Sequence, residues 1–200
     1  MESSEKFKSE HAECVENHKY SWNGRHIPGE NENLTELNMQ ENWGSETDML
    51  RGTWVHQACQ YYDEGTLDQW EFDPVILGYL EGWKKFRVEQ CPRPPVMIEK
   101  MMYTSYGFAG RVDRLIGHIV VDIKTGEPGW IAGLKLAAYQ IFIEGTIWGS
   151  ERPNPGSIKR CAVKLNADGT YKLYWYTNRK DKDLFLSCVS LYHYKKNGGK

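Results

Sequence analysis

The 200-residue chain contains no C-x-x-C pair; its five cysteines stand apart at positions 14, 59, 91, 161 and 188. Structural zinc sites are built from paired cysteines, so zinc of that kind is disfavoured. No apolar run approaches the roughly 20 residues that cross a bilayer, and the first residues are too polar for a secretory leader. Scattered cysteines without a leader imply reduced thiols and a cytoplasmic location, that of the host if the source is viral. An excess of one charge is also missing. With 25 Lys and Arg against 27 Asp and Glu the net charge is −2, which leaves no broad basic footprint. Internal repeats are absent too.

Basic residues gather only locally, as Lys84, Lys85 and Arg87, as Lys159, Arg160 and Lys164, and as Lys195 and Lys196. Clusters of this kind are usually solvated faces. Aromatic residues are plentiful, with 8 Trp and 12 Tyr, most of them expected in the core. A hydrophobic fraction of 40% over this length suits one domain spanning residues 1–200.

Along the chain, Met1 to Asn17 is charged and expected to be loosely ordered. Tyr20 to Ile27 reads as a hairpin on Asn23-Gly24, and Leu34 to Met39 as a short helix. Arg51 opens a helical stretch reaching Tyr62, with Ser45 or Thr47 available as its cap and Val55, Ala58, Cys59 and Tyr62 as its apolar stripe. His56 lies beside that stripe. Asp73 to Glu89 repeats apolar residues at Ile76, Leu80, Trp83 and Phe86, a second helix. After a strand at Met97 and a hairpin, Trp130 to Glu144 reads as an apolar helix. Ser157 to Leu165 and Thr170 to Tyr176 pair across Asp168-Gly169, Asp183 to Tyr194 is a last helix, and Lys195 to Lys200 a tail. Helices around a central mixed sheet make the fold α/β.

The most informative stretch is Gly110 to Gly126. Gly117-His118 is a two-residue Gly-X loop, the form of a type II′ turn. Folded there, Leu115 faces Val120, Arg114 faces Val121, Asp113 falls opposite Asp122, and Arg111 opposite Lys124. Alternation along the strand puts Lys124 on the face of Asp122. Two carboxylates directly across a ladder repel. A divalent cation between them would reverse that penalty; a salt-bridged surface patch is the other outcome the spacing allows. Downstream, Lys135 and Tyr139 are four apart and share one helix face.

The order G-T-x-x-H, an isolated Glu, G-x-x-D, D-x-K-T-G, then a helix carrying A-A-Y resembles the PD-(D/E)XK nuclease superfamily. It is most similar to the RecB-type branch, which includes phage exonucleases and CRISPR-associated nucleases. The resemblance covers about half the chain, Gly52 to Gly145, and implies a restriction-endonuclease-like core. Residue by residue it implies His56, Asp113, Asp122 and the backbone carbonyl of Ile123 as metal ligands. Lys124 matches the lysine that orients the attacking water, and Glu99 the glutamate preceding the G-x-x-D strand. Lys135, Tyr139, Thr125 and Arg111 are the substrate contacts it implies. The branch usually carries Gln where Lys135 stands, and Gln140 cannot substitute because it points roughly 100° away on the helix. Lysine can bind phosphate as a point charge.

Oxygen ligands with one imidazole suit Mg²⁺ or Mn²⁺. Relatives with an iron–sulfur cluster carry grouped cysteines near the C-terminus, and the two here are far apart, so no cluster is expected. The implied activity is phosphodiester hydrolysis of DNA, as a phage-type exonuclease in recombination or end processing, with a recombination or single-strand-binding protein as a further partner. An endonuclease on single-stranded or branched DNA is one alternative, and a non-catalytic DNA- or partner-binding protein of the same fold another.

Overall fold

A computed structural model describes residues 12–16, 19–22, 25–39, 44–145 and 157–199. Two sheets form. Strands β1 (Ala12–Glu16), β2 (Lys19–Trp22) and β3 (Arg25–Ile27) make a small antiparallel meander. β2 and β3 pair as the expected hairpin would, with Tyr20 opposite Ile27, while its turn residues Asn23 and Gly24 lie outside the described residues. The expectation of a loose segment to Asn17 is corrected at its end, where Ala12–Glu16 pairs with β2; residues 1–11 lie outside the described residues.

The main sheet holds β4 (Met97–Tyr103), β5 (Ala109–Ile116), β6 (Ile119–Lys124), β7 (Lys159–Leu165) and β8 (Tyr171–Trp175), in that order. All neighbours are antiparallel except β6 and β7, which run parallel and are joined through helix α4 (Trp130–Gly145). A parallel pair needs such a crossover. The fold is α/β, a mixed five-stranded sheet flanked by helices.

Period-two alternation in β6 divides the core. Val120 joins the layer containing α4, α1 (Glu30–Thr35) and α5 (Lys180–Lys196), whereas Val121 and Ile123 join that of α2 (Glu46–Glu64) and α3 (Pro74–Gln90). Fully burying one large apolar side chain contributes about 1.5–3 kcal/mol, and α4 supplies ten buried residues, Tyr139 among them. Helix α3 packs with bare backbone. A Cβ on Gly78 would come within 1.8 Å of the Ala167 carbonyl oxygen, and one on Gly82 within 2.7 Å of that of Thr170.

Local chemistry sets the helix ends. Ser45 caps α2 in a reciprocal box with Asp48, so this helix starts a turn before Arg51. Asp73 caps α3, with Pro74 in its first turn. The short helix forms over Glu30–Thr35 rather than Leu34 to Met39, because Pro28-Gly29 starts it and Asn33 Nδ2 bonds back to the Gly29 carbonyl at 2.7 Å. Helix α5 begins at Lys180 and continues to Lys196, correcting both its expected start and the tail; Lys195 and Lys196 pair with Glu36. No helix among the described residues is long and apolar enough to cross a membrane.

Candidate metal centre

The hairpin turn forms as expected, with φ of +58° at Gly117 and none positive at His118, and Leu115 and Arg114 face Val120 and Val121. The regular register stops there. Instead of a ladder bond, the Asp113 carboxylate accepts the backbone N–H of Ile123 at 2.9 Å. On the other side β4 pairs normally at Ile98 and Lys100, but between them Glu99 has φ of +43°. A non-glycine residue in that region costs on the order of 1–3 kcal/mol and persists only where its surroundings hold it. Asp113 therefore sits where both neighbouring strands depart from regular pairing.

His56 enters from α2 between these strands. Its Nε2 lies 2.9 Å from the Ile123 carbonyl, which can only accept, so Nε2 carries the proton. In the neutral ring Nδ1 then presents a lone pair 3.4 Å from Glu99 Oε1 and 3.6 Å from Asp113 Oδ2. Three lone-pair donors within 4.8 Å of one another repel unless a proton or a cation lies among them. Ligands bound to one hard cation at about 2.1 Å and 90° stand roughly 3 Å apart, so the donor set suits a divalent metal. The carboxylates respond to the crowding. Burial and the neighbouring Asp122 push the Asp113 carboxyl up, although His56 opposes this. Burial also opposes ionisation of Glu99, but His56 and Arg114 outweigh it and hold that carboxyl down at about 2. Burial works against charge on His56, yet Asp113 and Glu99 leave its pKa raised.

Asp122 and Lys124 lie one strand over on the α4 face. Asp122 is completely buried and sits between two ammonium groups, Lys124 Nζ at 3.1 Å and Lys135 Nζ at 3.2 Å. These outweigh its desolvation and hold its carboxyl at about 2. Lys135 is thus an ion-paired residue over the Tyr139 ring, not a solvated helix lysine. Tyr139 donates its hydroxyl to Asp113 Oδ1 at 3.1 Å, and burial drives its own pKa well up. The structure brings His56, Glu99 and Asp113 into one donor cluster, with Asp122 beside it in the lysine clamp and the Ile123 carbonyl engaged by His56. Arg111 is half-buried opposite Met101 on β4, and Thr125 follows β6 beside Gly52.

Three residues escaped the sequence reading. Glu30, 2% exposed at the start of α1, lies against β5 because Gly110 has no side chain; a Cβ there would stand 2.4 Å from Glu30 Oε2. Burial raises its carboxyl to about 7, against the attraction of Lys135. Arg114 is fully buried, donating to Glu99 at 2.9 Å, to Asp63 at 2.7 Å and to the Asp113 carbonyl at 2.6 Å. Asp63 also takes Arg87 and, at 3.2 Å, the Trp83 indole N–H. The signal for Arg114 was available: the hairpin register sets it opposite Val121, an inward position of the α2 and α3 layer. Glu30 had no comparable signal. The basic clusters are partly structural, since Arg87 joins this network and Arg160 pairs with Asp181 at 3.0 Å.

No family model matches the sequence, and no curated protein matches it. Among fifteen solved chains that do match is the crystal structure of a candidate exonuclease from Eubacterium rectale. It is similar at 14% identity with a TM-score of 0.50, over 88% of this chain and 77% of that one. At that identity the likeness speaks to the fold, one that a nuclease can use.

Proposed function

We propose that this chain is a divalent-metal-dependent DNA nuclease of the PD-(D/E)XK superfamily, near its RecB-type branch, hydrolysing phosphodiester bonds from DNA ends. The observation that carries this reading is the lone-pair face of His56 turned onto Glu99 and Asp113, one strand from Asp122 and Lys124. The motif order and the fold shared with a candidate exonuclease support it.

His56, Glu99 and Asp113 would hold Mg²⁺ or Mn²⁺, with Asp122 and the Ile123 carbonyl as the further oxygens the resemblance assigns. When bound, such an ion lowers the pKa of water and neutralises charge on phosphoryl oxygens. Lys124 Nζ, anchored on Asp122, would orient the attacking water. Lys135 would give a scissile phosphate a point charge, with Thr125 and Arg111 as the further substrate contacts the resemblance implies. Tyr139 fixes Asp113 through its hydroxyl and keeps the carboxylate from rotating. A role in recombination or end processing, with a partner that presents single strands, follows from the exonuclease reading.

Digestion of end-labelled linear, nicked circular and closed circular DNA, with Mg²⁺, Mn²⁺ or chelator, tests this. Progressive loss of linear DNA from its ends with metal, and survival of closed circles, is expected. Lys124→Ala should lose cleavage by orders of magnitude while keeping metal affinity. Nicking of closed circles would make the enzyme an endonuclease. DNA binding with no cleavage under any metal would favour a non-catalytic role.

A further inference from the structure

Lys124 begins a row. It stands directly opposite Lys164 on β7, and Lys164 directly opposite Lys172 on β8. Cross-strand partners project from the same sheet face, here the face of Asp122 and α4. Three lysines therefore run from the candidate centre to the sheet edge, becoming more exposed as they go, with side-chain exposures of 16%, 25% and 63%. Like charges directly opposed in a ladder are destabilising. Two such pairs in succession call for a counter-charge, and the chain provides one. Glu127, in the turn Gly126-Glu127-Pro128-Gly129, accepts Lys164 Nζ at 2.8 Å, lies 3.7 Å from Lys172 Nζ and takes the Tyr174 hydroxyl. These donors hold its carboxyl at about 2 although it is exposed. The Lys172 ammonium also rests over the Tyr174 ring, 4.6 Å from its centre. Convergence of two ammonium groups and a phenol on one anion is the donor set a phosphate oxygen would take.

We propose that this row is a phosphate track. The backbone of a nucleic-acid strand leaving the cleavage position crosses β7 and β8 over Lys164 and Lys172, and Glu127 occupies the track until the strand displaces it. Neighbouring strands are about 4.8 Å apart, so the row extends roughly 10 Å beyond Lys124. At about 3.4 Å rise per nucleotide of one strand, that reaches two to three nucleotides. A Cβ on Gly126 or Gly129 would meet nothing within 4 Å, so the space beside the turn is open to a strand. The track deepens the nuclease reading by naming where the substrate strand lies, and it rests on that reading because Lys124, at its inner end, is the catalytic lysine there.

The test is fluorescence anisotropy with labelled single-stranded and duplex oligonucleotides, on metal-free protein in chelator, from 50 to 200 mM salt. Each phosphate contact contributes about 0.7 to the salt slope on a single strand and about 0.9 on a duplex. K164Q/K172Q should bind at least tenfold more weakly at 50 mM salt, with a slope lower by about 1.4 or 1.8. Whichever substrate shows the loss is the one the track holds. K84Q/K85Q, on α3 across the sheet, should keep the wild-type slope. E127Q should bind several-fold more tightly, and that gain should vanish in the triple variant E127Q/K164Q/K172Q. Unchanged melting temperatures establish that the variants fold. The proposal is overturned by an unchanged slope in K164Q/K172Q, by an equal loss in K84Q/K85Q, by persistence of the E127Q gain in the triple variant, or by no DNA binding. Because binding is read without metal, a wild type that cuts while the slopes stay unchanged sinks the track alone. Altered slopes in a protein that never cuts sink only the nuclease reading.

Discussion

Glu30 offers a perturbation whose sign runs against intuition. Its carboxylate is buried beside Asp113 and Asp122, and burial raises its pKa from 4.5 to about 7 despite Lys135. A carboxyl whose folded pKa is raised costs stability as pH rises from the unfolded value to the folded one, because the unfolded chain releases its proton first. Each pKa unit is about 1.4 kcal/mol, so the cost is about 1 kcal/mol at pH 5 and about 3 kcal/mol at pH 8. Glu30→Gln keeps the shape that fits against Gly110 and Phe142 and removes the charge. In a chain of this length 1 kcal/mol moves the melting temperature by about 2–4 °C. With chelator present, Glu30→Gln should therefore melt roughly 6–12 °C above wild type at pH 8 and within about 4 °C at pH 5. Differential scanning fluorimetry across that range measures it. With Mn²⁺ the pH 8 difference should shrink, since a cation near Asp113 stabilises the ionised Glu30 of the wild type. A Glu30→Gln shift that is constant from pH 5 to 8, or a variant less stable than wild type at pH 8, refutes the reasoning.

Other perturbations separate the parts of the site. Mn²⁺ should raise the melting temperature of wild type but not of Asp113→Ala, and by more at pH 8 than at pH 6, because a proton on His56 competes with the metal; a pH-independent shift in wild type, or one that survives in Asp113→Ala, would argue for another binding place. Arg114→Met leaves Asp63 and Glu99 buried without their shared partner and should cost about 3–5 kcal/mol, read as a lower denaturation midpoint; a midpoint equal to wild type would show that the network carries little. Lys135→Gln should be tolerated with activity less sensitive to salt, while Lys135→Ala should lose catalytic efficiency. Kinetics at two salt concentrations decide it, and an alanine variant matching wild type at both would leave Lys135 a partner of Asp122 only.

Periodicity and turn chemistry made the main sheet and its helices legible. The Gly117-His118 turn, the Asp168-Gly169 hairpin, the Ser45 cap and the apolar stripes of α2, α3 and α4 are local signals, and local hydrogen bonds or one buried face suffice to enforce them. Where an element depends on distant packing, local signals misplace it. The start of α1 follows from Pro28-Gly29, not from the apolar residues after it, and β1 exists because β2 offers it an edge.

The residue types at the candidate site were readable because a D-x-K strand beside a G-x-x-D strand fixes which side chains share a face. Their grouping was not. Facing strands predicted an Asp113–Asp122 pair, but the break in regular pairing at Glu99 and Ile123 gathers Asp113 with His56 and Glu99 and leaves Asp122 to two lysines. Arg114, Asp63 and Glu30 join that arrangement from elsewhere in the chain, from 51 residues away for the Asp63 contact and across a glycine gap for Glu30. The sequence by itself determined which donors the two strands and α2 could present, since alternation and helical period are properties of neighbours along the chain. Only the tertiary structure decided which of them meet, because buried charges arrange themselves around whichever opposite charge the packing of other elements delivers.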